Sequence, residues 1–236
     1  LERLFKSNPF VADYTLCGKR KKDDFPRHFL IFQAIQNLPY FKWIHMPFPV
    51  SCYIGLVHGP IRSKDGTEIT TSVTNLDIHD IARTARTFGF KRYFLVTPIK
   101  NQQAMVNKIL GFWESDSGLI YNPDRKNALA EAQVIDSIED AVKKITEIEG
   151  KKPCVVVTGA NFSTFDGYEK DLIRKISIDG TPMFLLFGTG WGLTASVVEQ
   201  ADFRLGPILG IADDEYNHLS VRSAVAIYCD RLARSL

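Results

Sequence analysis

The sequence predicts an α/β fold: a mostly parallel β-sheet with helices on both faces. Short, wholly apolar runs that end in Gly, Thr or Pro read as buried strands, and the longer stretches between them carry helical periodicity. Strands alternating with helices in this way build a parallel sheet covered on both sides. The length of 236 residues suits one large domain, or one of moderate size plus an appended segment.

Residues 1–48 read as an N-terminal extension, and 49–236 as the main domain. The extension holds Pro9, Pro26, Pro39 and Pro47, a basic cluster Lys19-Arg20-Lys21-Lys22, and one short helical candidate from Phe29 to Asn37. It offers too little periodic apolar surface for a core of its own. From Ser51 the pattern becomes regular. Cys52 to His58 is a strand stopped by Gly59-Pro60, and Asp77 to Phe88 a helix. Tyr93 to Val96 is a strand and Gln102 to Phe112 a helix; Gln133 to Ile135 is a strand and Ser137 to Ile148 a helix stopped at Gly150. Cys154 to Val157 is a strand, Tyr168 to Ile176 a helix, and Met183 to Phe187 a strand running into Gly188. Thr194 to Gln200 is a short helix and His218 to Ala233 the long terminal one.

With 45% hydrophobic and 24% charged residues, disorder over the whole length is excluded. No apolar run approaches the ~20 residues of a membrane helix, so no membrane partner is expected. The chain begins at Leu1 without a secretory pattern, which reads as a processed or truncated end. Cys17, Cys52, Cys154 and Cys229 are dispersed, the pattern of structural thiols in a reducing compartment such as the cytoplasm. His28, His45, His58, His79 and His218 are equally dispersed, so no metal is expected. The net charge of +2 hides an asymmetry: residues 1–110 hold 16 Lys+Arg against 8 Asp+Glu, and 111–236 hold 13 against 19. A polyanion would be met by the first part.

Open parallel sheets place ligands at the carboxyl ends of their strands. Three such junctions stand out: Thr158-Gly159-Ala160-Asn161, Gly188-Thr189-Gly190-Trp191-Gly192-Leu193, and Pro207-Ile208-Leu209-Gly210 with the acidic loop and Tyr216-Asn217-His218-Leu219-Ser220 that follow. Glycines at 188, 190 and 192 let a backbone approach a ligand closely. The spacing is neither a P-loop nor a dinucleotide fingerprint. Asn217 and Ser220 suit capping of the last helix, whose N-terminus also favours an anionic group. Within Asp77 to Phe88, Ile78, Ile81, Ala82, Ala85 and Phe88 share one face, and His79, Arg83 and Arg86 another. That second face is either a solvated surface pairing with Asp80 or Glu68, or a phosphate-gripping stripe.

Three stretches together resemble the SPOUT class of trefoil-knotted, S-adenosylmethionine-dependent RNA methyltransferases: Val73 to Ala85, Leu185 to Leu193, and Tyr216 to Ala224. The likeness is greatest to the small bacterial family related to tRNA guanine-N1 methyltransferase, and it covers about residues 51–236. It implies a C-terminal knot, a homodimer, and an activity on tRNA or rRNA. It implies that S-adenosylmethionine is held by Thr158, Gly159, Leu186, Phe187, Gly188, Gly190, Trp191, Gly192, Ile208, Gly210, Asn217, His218, Leu219 and Ser220. Arg83 matches the arginine of the class's first motif and is the candidate for the RNA phosphate or target oxygen, with His79 and Arg86 beside it on the RNA. His218 and Glu215, with Asp213 and Asp214, are the candidate proton acceptors. Asp77 stands where that motif has asparagine, and the second motif's glutamate is absent, so base and ribose methylation are both implied. The alternative expectation is a catalytically inactive knotted domain that binds RNA or a nucleotide-like ligand.

Overall fold

The computed structural model describes residues 48–236; the expectations for the extension up to residue 47, including its helix and basic cluster, lie outside the described residues. Six strands form one sheet: β1 (Cys52–Val57), β4 (Arg92–Val96), β5 (Ala132–Ile135), β6 (Cys154–Val157), β7 (Met183–Gly188) and β8 (Phe203–Arg204), in the order β5-β4-β1-β7-β6-β8. Every pair in it is parallel. The strand β1 lies between β4 and β7, and all six of its residues are buried, which is why Cys-Tyr-Ile-Gly-Leu-Val reads as a continuous apolar run.

Successive residues of each strand feed opposite faces. Ile54, Leu56, Leu95 and Leu185 pack on one face with Ile78, Ile81 and Ala85 of α1 (Asn75–Thr87) and Val225, Tyr228 and Leu232 of α8 (Val221–Arg234). Tyr53, Val57, Phe94 and Leu186 pack on the other with Ile138, Ala141 and Ile145 of α5 (Ile138–Glu149). Leu172 and Ile176 of α6 (Glu169–Ile178) join the first face, and Val197 and Val198 of α7 (Ala195–Glu199) the second. Both faces are covered, as the alternation of strands and helices predicts.

The helix ends follow local chemistry. Thr74 caps α1, its hydroxyl oxygen accepting from the Asp77 N–H at 3.2 Å, and Ser137 caps α5 by accepting from the Asp140 N–H at 3.0 Å. The terminal helix starts at Val221, three residues later than its apolar pattern suggests, because Ser220 takes an extended conformation and accepts from the Ser223 N–H at 3.2 Å. Four features lie outside the sequence expectation: the hairpin of β2 (Ile61–Arg62) and β3 (Glu68–Ile69), the edge strand β8, and the short helices α3 (Asp116–Tyr121) and α4 (Pro123–Leu129), which follow α2 (Lys100–Glu114). Two-residue strands are too short to show any period. Cys52, Cys154 and Cys229 are buried free thiols, and burial raises all three, Cys154 to about 11. No described helix is long and apolar enough to cross a membrane. Among the described residues no group of three or more His, Cys, Asp or Glu could hold a metal ion.

Candidate active site

The carboxyl ends of β1, β6 and β7 open into a cavity of about 790 Å3. Its floor is the turn Gly188–Leu193 at the end of β7. One wall is Thr158 to Phe162 after β6, and another is Ile208 with Asn217 to Leu219 before α8. The three strand-end loops singled out in the sequence therefore converge on one space, through Thr158, Gly159, Phe187, Gly188, Gly190, Trp191, Gly192, Ile208, Asn217, His218 and Leu219.

The glycine turn is built for close approach. A methyl group at Gly188 would lie 2.6 Å from the Leu193 nitrogen and 2.7 Å from the Gly192 carbonyl carbon, so no side chain fits there. Gly190 and Gly192 take φ of +57° and +96°, conformations that side chains strain. Thr158 ties the neighbouring loop to the same strand, its hydroxyl donating to the Leu186 carbonyl at 2.9 Å. Across the cavity Asn217 does not cap α8, as its sequence position suggests. Its side chain accepts from the Gly210 N–H at 2.9 Å and donates to the Ile208 carbonyl at 3.1 Å, closing the last loop on itself.

Leu186, Gly210 and Ser220 do not line the cavity; they brace it, as strand core, loop closure and helix cap. Arg83 and Arg86 are exposed on α1, and neither lines it. Nor does Glu215, which sits on the exposed acidic loop with φ of 59°, a strained conformation for a side chain. His79 leaves the expected basic stripe. Its ring packs edge-on against Trp113 of α2 at 5.5 Å, beneath an indole that also carries the Arg125 guanidinium at 5.1 Å. Burial, then Arg125, lowers its pKa.

Among the cavity residues that the sequence does not single out as site residues are His58, Arg62, Asp77 and Arg222. Asp77 is buried, with Thr74 Oγ1 donating to one carboxylate oxygen at 2.6 Å and Arg222 Nη1 to the other at 2.7 Å. This pair pins the first turn of α8 to that of α1. Arg222 also lies 3.6 Å from Asp80.

His58, fully buried at the end of β1, belongs to a chain of hydroxyls. Its Nδ1 lies 3.2 Å from Thr71 Oγ1, which lies 2.6 Å from Thr189 Oγ1, and the chain ends on the Val57 carbonyl, 3.1 Å from Thr189 Oγ1, and on the His58 carbonyl, 3.4 Å from Thr71 Oγ1. The other ring nitrogen, Nε2, has no partner among the described residues. Burial lowers the His58 pKa to about 4, against the opposing pull of Asp77, which keeps the ring neutral. Its signal in the sequence was position alone: a histidine directly after a buried strand.

Comparison with known proteins fits this geometry. Residues 51–234 match the model of a family described as SAM-dependent RNA methyltransferase. The chain belongs to that family. Two relatives illustrate its range. A protein of Oleidesulfovibrio alaskensis named tRNA (guanine-N(1)-)-methyltransferase is 39% identical over 76% of this chain and 41% of its own length. An uncharacterized protein of Aquifex aeolicus is 34% identical over 76% of this chain and 87% of its own. The chain thus spans about two fifths of the former. In fold, a methylase family protein from Neisseria gonorrhoeae superposes with a TM-score of 0.52 at 17% identity, covering 79% of this chain and 83% of that one. For this family member a glycine turn whose backbone lines a cavity of nucleoside-holding size suits S-adenosylmethionine.

Proposed function

We propose that residues 49–236 form the catalytic domain of an S-adenosylmethionine-dependent methyltransferase acting on tRNA, as a cytoplasmic homodimer with a C-terminal trefoil knot. The observation that carries this reading is the convergence of the three strand-end loops on one cavity whose floor excludes a Cβ. A 39% identical relative that is named for tRNA guanine-N1 methylation supports the tRNA target and a base acceptor.

When bound, S-adenosylmethionine supplies a methyl group on a positively charged sulfur. The protein's own part is to hold and orient. Gly188, Gly190 and Gly192 present backbone to the ligand, and Thr158 and Asn217 fix the flanking loops through bonds to Leu186, Ile208 and Gly210. Arg222, steadied by Asp77, keeps guanidinium N–H groups at the wall. His218 lines the cavity and is the first candidate to take the acceptor's proton, ahead of Glu215 on the exposed loop. Arg83 and Arg86, exposed beyond the cavity, are assigned to RNA phosphates. The basic cluster Lys19 to Lys22 is assigned to RNA or to the partner subunit.

The test is calorimetric titration with S-adenosylmethionine and S-adenosylhomocysteine, with ATP and NAD as controls, followed by methyl incorporation into bulk RNA. Micromolar binding of the first pair, about -8 kcal/mol, with methylated tRNA recovered, is the expected result. Binding without incorporation would select the inactive domain, and binding of neither would remove the cofactor assignment. Loss of incorporation in Arg83→Ala, with cofactor binding intact, is expected if Arg83 holds the RNA.

A further inference from the structure

Two cavity-lining side chains do nothing for the fold. Trp191 leaves 52% of its surface exposed, and Arg62 is exposed and makes no ion pair among the described residues. They come from different segments, β2 and the turn after β7, yet their backbones are locked together. The Arg62 N–H donates to the Gly192 carbonyl at 2.9 Å, the Trp191 N–H donates to the Arg62 carbonyl at 3.3 Å, and Ile61 bridges Leu193. The hairpin beyond Arg62 is equally fixed. The Ser63 N–H donates to the Thr67 carbonyl at 2.8 Å, and the Asp65 carboxylate accepts from the Ser63 hydroxyl and from both the N–H and hydroxyl of Thr67. The charge of Asp65 is thereby satisfied within the tip. Glu68, opposite Arg62 in the hairpin register, forms no ion pair with it. Among the described residues the rim therefore presents an unpaired guanidinium and an open indole in a rigid frame.

A flat aromatic face half in water is matched by another flat ring, and an unpaired guanidinium by a phosphate. A nucleotide carries both. We propose that Trp191 and Arg62 are the nucleotide-gripping rim of the cavity, the indole stacking on an unpaired base of the RNA and the guanidinium pairing with a phosphate beside it. The base lies outside a duplex, because within one both of its faces are covered by stacked neighbours. The proposal rests on the RNA-methyltransferase reading and gives the side chain of Trp191 to the RNA, leaving its backbone in the glycine turn. The frame is preorganised, so no ordering of the hairpin opposes binding.

The test separates the two ligands. Binding of unfractionated tRNA is followed by fluorescence anisotropy on protein saturated with S-adenosylhomocysteine, and binding of S-adenosylhomocysteine itself by calorimetry. Trp191→Ala, Trp191→Phe and Arg62→Gln are compared with wild type and with Lys152→Gln, an exposed lysine just before β6, at the far end of the sheet. Trp191→Ala should weaken tRNA binding about tenfold or more, and Trp191→Phe should restore most of it. Arg62→Gln should weaken tRNA binding and flatten its salt dependence by about one phosphate contact. Both should bind S-adenosylhomocysteine within about twofold of wild type, and Lys152→Gln should match wild type in both assays. Unchanged tRNA binding in Trp191→Ala and Arg62→Gln, in a wild type that binds both ligands, overturns the rim alone. Loss of S-adenosylhomocysteine binding with tRNA binding kept gives these residues to the cofactor and also overturns it. A wild type that binds neither ligand overturns the functional reading, and the rim with it.

Discussion

The two ends of the same parallel strands are finished differently. At the amino end three strand starts are tied off: the Met183 N–H donates to the Ser51 carbonyl, the Cys154 N–H to that of Pro182 and the Lys91 N–H to that of Cys52. The Tyr53 hydroxyl and Lys91 Nζ both donate to Glu149. At the carboxyl end the strands run out into a cavity walled by an imidazole nitrogen and an arginine that have no partner among the described residues, and by a glycine turn that rejects a methyl group at Gly188. Packing is complete where only stability depends on it and incomplete where a ligand supplies the missing contacts.

The largest effect should come from distorting the glycine turn. Gly188→Ala places a methyl group against the backbone of Gly192 and Leu193, which cannot move aside as a side chain would. Affinity for S-adenosylhomocysteine, measured by calorimetry, should fall at least about a thousandfold, or about 4 kcal/mol. Gly150→Ala, at the C-cap of α5, meets nothing within 4 Å despite its φ of +69°. It should lower stability by about 1 kcal/mol and leave binding unchanged. Equal loss of affinity in the two variants would erase the contrast.

The unpartnered imidazole gives a pH signature. His58 has a folded pKa of about 4 against an ordinary value of 6.5. As pH falls below 6.5 the unfolded chain takes up a proton that the folded chain refuses, so stability drops from pH 6.5 until the folded group protonates near 4. The drop integrates to about 3 kcal/mol, and burial gives His79 a smaller contribution of the same sign. Urea midpoints of wild type and His58→Asn across this window should converge as pH falls, because the asparagine keeps a donor near Thr71 but does not titrate. Parallel curves would mean that His58 is not held neutral.

The ion pair at the cavity wall ranks next. Arg222→Gln leaves Asp77, whose side chain is 6% exposed, with Thr74 as its remaining donor. Because the Arg222 side chain is itself 31% exposed, a loss of about 2 kcal/mol is expected in thermal unfolding, less than for a fully buried pair. Asp77→Asn, which removes the buried charge rather than stranding it, should lose less. The reverse order would move the energetic weight from Asp77 to Arg222.

Sequence made the sheet legible because buried parallel strands must be continuous apolar runs, and each of Cys52 to Val57, Cys154 to Val157 and Met183 to Phe187 falls within one. It made the loops legible because ligands in such sheets lie at carboxyl ends, so Thr158, Gly188 and Asn217 could be named together before their convergence was seen. It hid what depends on long-range pairing. The hairpin of Ile61–Ile69 has two-residue strands, and its contact with the glycine turn joins positions about 130 residues apart in the chain. Asp77 and Arg222 are as distant, and nothing local marks them as partners. His79 was misplaced for the complementary reason: helical spacing puts it near Arg83, but Trp113, from another helix, draws its ring inward.

The smallest predicted effect is the control on the whole contrast. Tyr53 is buried in β1, one strand that reaches both ends, and its hydroxyl is spent on Glu149. Burial works against ionisation of Glu149, but the hydrogen bonds from Lys91 and Tyr53 outweigh it and lower its pKa. Tyr53→Phe removes one of those donors and leaves Lys91 in place at 2.7 Å, so the carboxylate stays ionised and stability should fall by about 1 kcal/mol. The ring's contact with Phe94 survives the change. Because Val57 and Gly188, at the other end of the β1–β7 pairing, keep their register, S-adenosylhomocysteine affinity should stay within about twofold of wild type. A larger change in affinity would mean that strain at the amino end is transmitted along β1 to the cavity, and that the two ends are one cooperative device rather than a finished base under an open site.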